Sequence, residues 1–323
     1  MIPVWDAHTC VPLLPDYDLA SLQRHIDCGA YYISINIGMD FNPLSDIIQI
    51  IAGFRQRISE LDFLIQVDSY ADVERAKREG KLAVSFDLEG GVPLSESPAM
   101  VGLFAQLGVR QIHLAYNRSN SLAGGCHDED HGLTDKGRAI VDAINAQHLF
   151  MDVSHTGYKT SMDIFCYSDK PVIISHGNPI AVKEHSRNYR DDQLKACAAT
   201  GGVVCINGVS RFLNSPQASP QSMVEAIDYL VQLLGPEHVG LGLDYVYHSH
   251  LDKGPQGLDV THWWPPEYGY GKASDGFLSS FYAPPERFIE MTGLLEGKGY
   301  QASHIAAIYG DNMSALAQQV WGK

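Results

Sequence analysis

Short apolar runs rich in β-branched residues alternate along this chain with longer stretches in which apolar residues recur at helical spacing. The runs that read as strands are residues 3–9, 31–37, 63–68, 82–88, 109–116, 149–155, 172–176, 203–207 and 239–244. An eight-stranded barrel takes one fewer, so one of these is expected to be peripheral. Residues 71–79 carry interspersed charges and stop at Gly80, a natural C-cap. Residues 135–147, 191–199 and 222–234 repeat apolar side chains on one helix face. Strand–helix alternation with right-handed crossovers gives an α/β chain with a parallel sheet. No internal repeat or low-complexity linker interrupts it, so residues 1–323 are read as one (β/α)8 barrel domain.

Two stretches break the rhythm. Residues 117–132 are rich in Ser, Gly, Asn, Asp and His, and read as a loop at a strand's C-terminal end, where barrels keep their chemistry. Residues 245–285 form a long irregular insertion that includes His248, His250, Trp263 and Trp264. A loop of that length in a compact domain is usually a lid, a binding loop or an interface.

The ends of the apolar runs carry the candidate chemistry. His8, Glu89, His155 and His176 each close a run, and Asp244 follows another. A parallel barrel gathers the C-terminal ends of its strands around one mouth. Imidazoles and carboxylates converging there would suit a divalent metal. Each residue also has a bland reading. A strand-end His can be a hydrogen-bonded core residue, Glu89-Gly90-Gly91 can be a plain strand terminus, and Asp244 can cap the next segment. That bland reading must hold separately for every one of them, always at a strand end.

Composition narrows the partners. The 23 basic and 38 acidic residues give a net charge of −15, which disfavours nucleic acid and anionic lipid surfaces. At 45% hydrophobic and 19% charged residues, the chain can build a large core. The cysteines (Cys10, Cys28, Cys126, Cys166, Cys197 and Cys205) form no CxxC pair and read as cytosolic thiols. With no secretory signal and no membrane-length apolar run, the expectation is a soluble cytoplasmic protein.

At this level of detail the chain is similar to a known family. Asp6-Ala7-His8, Glu89-Gly90-Gly91, the stretch from Leu114-Ala115-Tyr116-Asn117 through Gly132-Leu133-Thr134-Asp135-Lys136-Gly137-Arg138, and Met151-Asp152-Val153-Ser154-His155 resemble the membrane (renal-type) dipeptidases, peptidase family M19. Ser175-His176, Arg187-Asn188, Gly201-Gly202-Val203-Val204, Gly242-Leu243-Asp244 and Gly310-Asp311-Asn312 follow in the family's order. The resemblance is weakest across residues 245–285. It implies a distorted (β/α)8 TIM-type barrel holding two zinc ions, and a small dipeptide-like substrate with a free carboxylate. Carried over residue by residue, it makes Glu89 the bridge and places His155 and His176 on one zinc. His8 and Asp244 fall on the other, with Asp244 also handling a proton, and Arg187 holds the substrate carboxylate. Family members are often homodimers, which is the ground for expecting one here.

The chain departs from the family pattern at three positions. Where the family has His-x-Asp on the first strand, this chain has His8-Thr9-Cys10. Cys10 is either a thiolate ligand, at about 2.3 Å from zinc, or a small filler beside a weakened second site. Tyr116 replaces a His that polarises the scissile group; a phenol can still donate a hydrogen bond to an oxyanion. Phe212 replaces a tyrosine that supports carboxylate binding. Three readings follow: a zinc-dependent dipeptidase-like hydrolase, a one-metal relative acting on a non-peptide small molecule, or an inactive binding relative. The last conflicts with the retention of ionisable groups that are costly to bury unless paired or coordinated.

Overall fold

A computed structural model of the chain describes residues 1–249, 255, 257–270 and 280–322. His250, singled out above, lies outside the described residues, as do parts of the 245–285 insertion. The strands are β1 (Val4–Cys10), β2 (Ala30–Met39), β3 (Leu64–Gln66), β4 (Leu82–Glu89), β5 (Val109–His113), β6 (Phe150–Asp152), β7 (Val172–Ile173), β8 (Val204–Ile206), β9 (Val239–Leu241) and β10 (Tyr245–Val246). All pair in parallel, in the order β7-β6-β5-β4-β2-β1-β9-β8. Cys205 N–H donates to the Ile174 carbonyl, and Ile174 N–H to that of Val203, so β7 and β8 meet. The result is a nearly closed eight-stranded TIM-like barrel, as the alternation of runs implies.

The peripheral strand is β3. It pairs with the N-terminal half of β4, Leu64 against Leu82 and Gln66 against Val84, while β5 takes the C-terminal half from Phe86 onward. β10, not anticipated from the sequence, runs beside Thr9 and Cys10 of β1. β5, β6, β7 and β9 each stop three residues before the ends of their apolar runs. For β6 and β9 the physical reason is a turn in the backbone: His155 and Asp244 adopt φ of +68° and +55°, which no ladder accommodates. The pairing persists only as single bonds such as Asp244 N–H to the His8 carbonyl.

The predicted helices form with small boundary shifts, as Tyr70–Glu79, Asp135–Ala146, Asp191–Ala199 and Pro220–Leu234. Gly80 ends the first of them at φ +66°, and Thr134 and Ser219 cap the starts of two others through their hydroxyls. The helix Leu44–Glu60, not among those predicted, buries Ile47, Ile50, Ile51, Phe54 and Ile58 along one stripe.

The two ends of the barrel are filled differently. At the N-terminal end Trp5 stacks on Tyr32 with ring centroids 3.5 Å apart. Trp321, from the helix Asn312–Trp321, closes this end against Trp5 at 5.7 Å and Phe150 at 4.7 Å. Above the rings the interior turns polar: Ser34 donates to Asp87 (2.6 Å), and Tyr32 and Ser85 hydroxyls lie 2.5 Å apart. This polar layer supports the C-terminal mouth.

Candidate active site

Strand geometry brings the predicted residues together. His8 and Cys10 lie two apart on β1 and so share its inward face; Asp87 and Glu89 do the same on β4. The turns after β6, β7 and β9 deliver His155, His176 and Asp244. Glu89 Oε1 is the focus. His155 Nε2 lies 2.9 Å from it, His176 Nε2 3.3 Å and His8 Nε2 3.4 Å. The Nε2 atoms of His155 and His176 are themselves only 2.9 Å apart.

Each of these imidazoles meets a polar group at its other nitrogen. His8 Nδ1 faces Asp87 at 3.3 Å, His155 Nδ1 donates to Asn117 Oδ1 at 2.7 Å, and His176 Nδ1 stands 2.8 Å from the Ser175 hydroxyl. Such contacts fix ring orientation and leave Nε2 to a ligand. His8, Glu89 and His176 could hold one cation, and His8, Cys10 and Asp244 another. Cys10 Sγ lies 3.5 Å from His8 Nε2 and 3.8 Å from Asp244 Oδ1. Several buried nitrogen and carboxylate lone pairs thus converge on one point. The residues fit a metal centre.

The electrostatics agree with that crowding. Burial pushes Glu89 up to about 7, against the pull of His8 and His113, and also raises Asp244. Burial lowers His155 and His176, with Arg187 and neighbouring imidazoles acting in the same direction. For His8 burial is the largest influence and acts downward, yet Asp87, Glu89 and Cys10 together outweigh it and raise the imidazole. Burial pushes the Cys10 thiol up to about 12.

The neighbouring predicted residues line the same cavity of about 370 Å³. Tyr116 stacks on His155 with centroids 4.3 Å apart, and its hydroxyl accepts from Trp264 Nε1 at 3.2 Å. Arg187 is buried over the Phe212 ring at 5.6 Å, and its Nε and Nη2 have no hydrogen-bond partner among the described residues. Asn207 donates to Asp244 Oδ2 at 2.9 Å.

Sequence reasoning missed part of the centre. Asp87 could have been found by counting two back from Glu89. His113, the last residue of β5, is fully buried behind the site, with Nε2 2.7 Å from Asp152 and Nδ1 4.0 Å from Glu89. His127 is buried between Ser186 and Tyr270, and His131 is exposed. Gly90 is a structural requirement rather than a loose terminus: at φ +124° an added Cβ would lie 2.1 Å from Asp40.

A parallel barrel with buried imidazoles and carboxylates at its C-terminal mouth defines a barrel metallohydrolase. The chain belongs to the membrane dipeptidase family, peptidase family M19, whose profile matches residues 20–261. It is 30% identical to dipeptidase aclJ of Aspergillus oryzae over 237 residues, covering 71% of this chain and 56% of that one. An uncharacterized dipeptidase of Schizosaccharomyces pombe is 31% identical over 197 residues, 58% of this chain and 47% of that protein. The chain thus spans about half the length of these relatives. Among solved structures, an amidohydrolase from Pseudomonas aeruginosa superposes with a TM-score of 0.86 at 26% identity, over 99% of this chain and 97% of that one. A Rhodobacter sphaeroides metallopeptidase liganded with a phosphinate mimic of L-Ala-D-Ala shares the fold, with a TM-score of 0.78 at 19% identity and 99% of both chains covered. Among the described residues no helix is long and apolar enough to cross a membrane.

Proposed function

We propose that residues 1–323 form one zinc-dependent dipeptidase-like hydrolase domain, cleaving the amide of a small substrate with a free carboxylate. The observation that carries this reading is the convergence of the His8, His155 and His176 Nε2 atoms on Glu89, each ring with a polar group at its far nitrogen. Glu89 would bridge two zinc ions, His155 and His176 would complete one site, and His8, Asp244 and Cys10 the other. Bound zinc supplies Lewis-acid polarisation of a carbonyl and lowers the pKa of water at neutral pH. Asp244, held by Asn207 on its Oδ2, is placed to take a proton and return it to the leaving amine. Tyr116, raised well above the ordinary phenol range chiefly by burial, stays protonated and can donate to a developing oxyanion. Arg187 offers a buried guanidinium with unspent donors for a carboxylate, a match to its planar fork. The dipeptide mimic held by the Rhodobacter relative is consistent with such a substrate.

A second reading keeps the hydrolase and removes one metal. Cys10 favours it: a half-buried thiol beside His8 must lose its proton before it can ligate, whereas a carboxylate is already ionised. Elemental analysis of protein purified under reducing conditions without chelator separates the two. Close to two zinc ions per chain, followed by turnover of a dipeptide panel, is the expected result. One or fewer makes the one-metal reading the better one, and metal-replete protein inert to the whole panel overturns peptidase activity altogether.

A further inference from the structure

The cavity lining is of two kinds. Arg187, lying over Phe212, suits a carboxylate. Phe41, Tyr116 and Trp264 form an aromatic wall that starts at the ring stacked on the candidate ligand His155. Phe41 meets Tyr116 at 5.8 Å and 77°, and Trp264 at 5.5 Å and 71°, so rings present edges to one another. The wall is fixed in place. Trp264 Nε1 donates to the Tyr116 hydroxyl (3.2 Å), and Asn117 Nδ2 donates to the Trp263 carbonyl (3.0 Å) while its Oδ1 accepts from His155. The segment bearing the tryptophans is therefore joined to the candidate metal ligand through Tyr116 and Asn117.

We propose that Phe41, Tyr116 and Trp264 form a subsite for a large apolar side chain, preferably aromatic, on the residue that supplies the scissile carbonyl. The proposal rests on the amide-hydrolase reading above: with Arg187 on the terminal carboxylate, the wall stacked on the candidate ligand His155 is left to the residue that bears the scissile carbonyl. A ring inserted there completes an edge-to-face cluster and leaves water with little ordering cost, since its walls are already held. Charge does not select the group: the wall contributes no ionisable side chain except a phenol kept protonated by burial.

The test uses the metal-replete enzyme and dipeptides sharing one C-terminal residue, with alanine, leucine, phenylalanine or lysine in the first position. The expected result is a kcat/KM for the phenylalanine substrate roughly tenfold or more above that for alanine, with leucine between. That ratio should fall toward one in Trp264→Ala and, independently, in Phe41→Ala. Alanine equal to or better than phenylalanine, lysine preferred over both, or a ratio that survives both substitutions overturns the subsite. If no dipeptide is hydrolysed, the proposed reaction fails, and the subsite is judged by calorimetry with matched phosphinate mimics. Tighter binding of the phenylalanyl mimic than the alanyl one upholds it, and equal binding overturns it.

Discussion

The two ends of the barrel are built from opposite materials. The N-terminal end is a dry stack of Trp5, Tyr32, Phe150 and Trp321, in which burial and ring contact supply the energy. The C-terminal mouth places His8, Glu89, His155, His176 and Asp244 around one point and twists two of their backbones to positive φ. One end holds the fold, and the other spends stability on converging like groups, which is the usual mark of a functional site.

The comparison breaks most sharply at Asp244. Asp244→Asn should lower kcat by roughly 10²–10⁴-fold, the usual worth of a general acid–base group, while the urea midpoint stays near that of the parent chain. At the other end, Trp321→Ala should cost about 3–5 kcal/mol in urea unfolding and leave KM unchanged in the surviving folded protein. If Trp321→Ala altered KM, or Asp244→Asn mainly altered unfolding, the division of labour would be wrong.

A finer test lies between the ends. Asp152 is fully buried against His113, which stands behind Glu89. Asp152→Asn should weaken metal binding by about 10–100-fold, measured by chelator competition, as expected for a group that orients a metal ligand from behind. An unchanged affinity with lower stability would assign the pair to the fold alone.

A last effect is acid sensitivity at histidines buried beside the mouth. Burial, with the charge of Arg187 beside it, pushes His127 down to about 2; burial also pushes His185 down to about 4. Both are neutral when folded, whereas the unfolded chain takes up a proton at each below about 6.5. Stability is therefore lost as pH falls through 6.5; the His185 contribution levels off near 4, and that of His127 continues toward 2. The slope approaches about 1.4 kcal/mol per pH unit for each group. His127→Gln should flatten the fall in urea midpoint between about pH 6.5 and 4.5; an unaltered slope would remove His127 from the account.

The sequence exposed more of the polar mouth's ligand candidates than of what holds them. His8, Glu89, His155, His176 and Asp244 were visible because each interrupts or follows an apolar run, and a parallel sheet gives run ends a common destination. Asp152 was not singled out. It is the register partner of His113 on the neighbouring strand, and that pairing is not readable from one run alone. His113 was not singled out either, since one buried strand histidine looks like any other until its partner on the next strand is known. The aromatic wall was seen only in part: Tyr116 and Trp264 were singled out, but Phe41 was not, because the three come from separate irregular segments that no periodicity links.

The short strand β3 has a consequence of a different kind. β5 joins β4 only from Phe86 onward, so Leu82, Ala83 and Val84 would otherwise show one bare row of amides and carbonyls. An open row of that sort invites a strand from a neighbouring molecule. Leu64–Gln66 occupies it. Three residues that line neither the site nor the main barrel thus serve as a seal, and help keep one copy of the chain from templating the aggregation of the next.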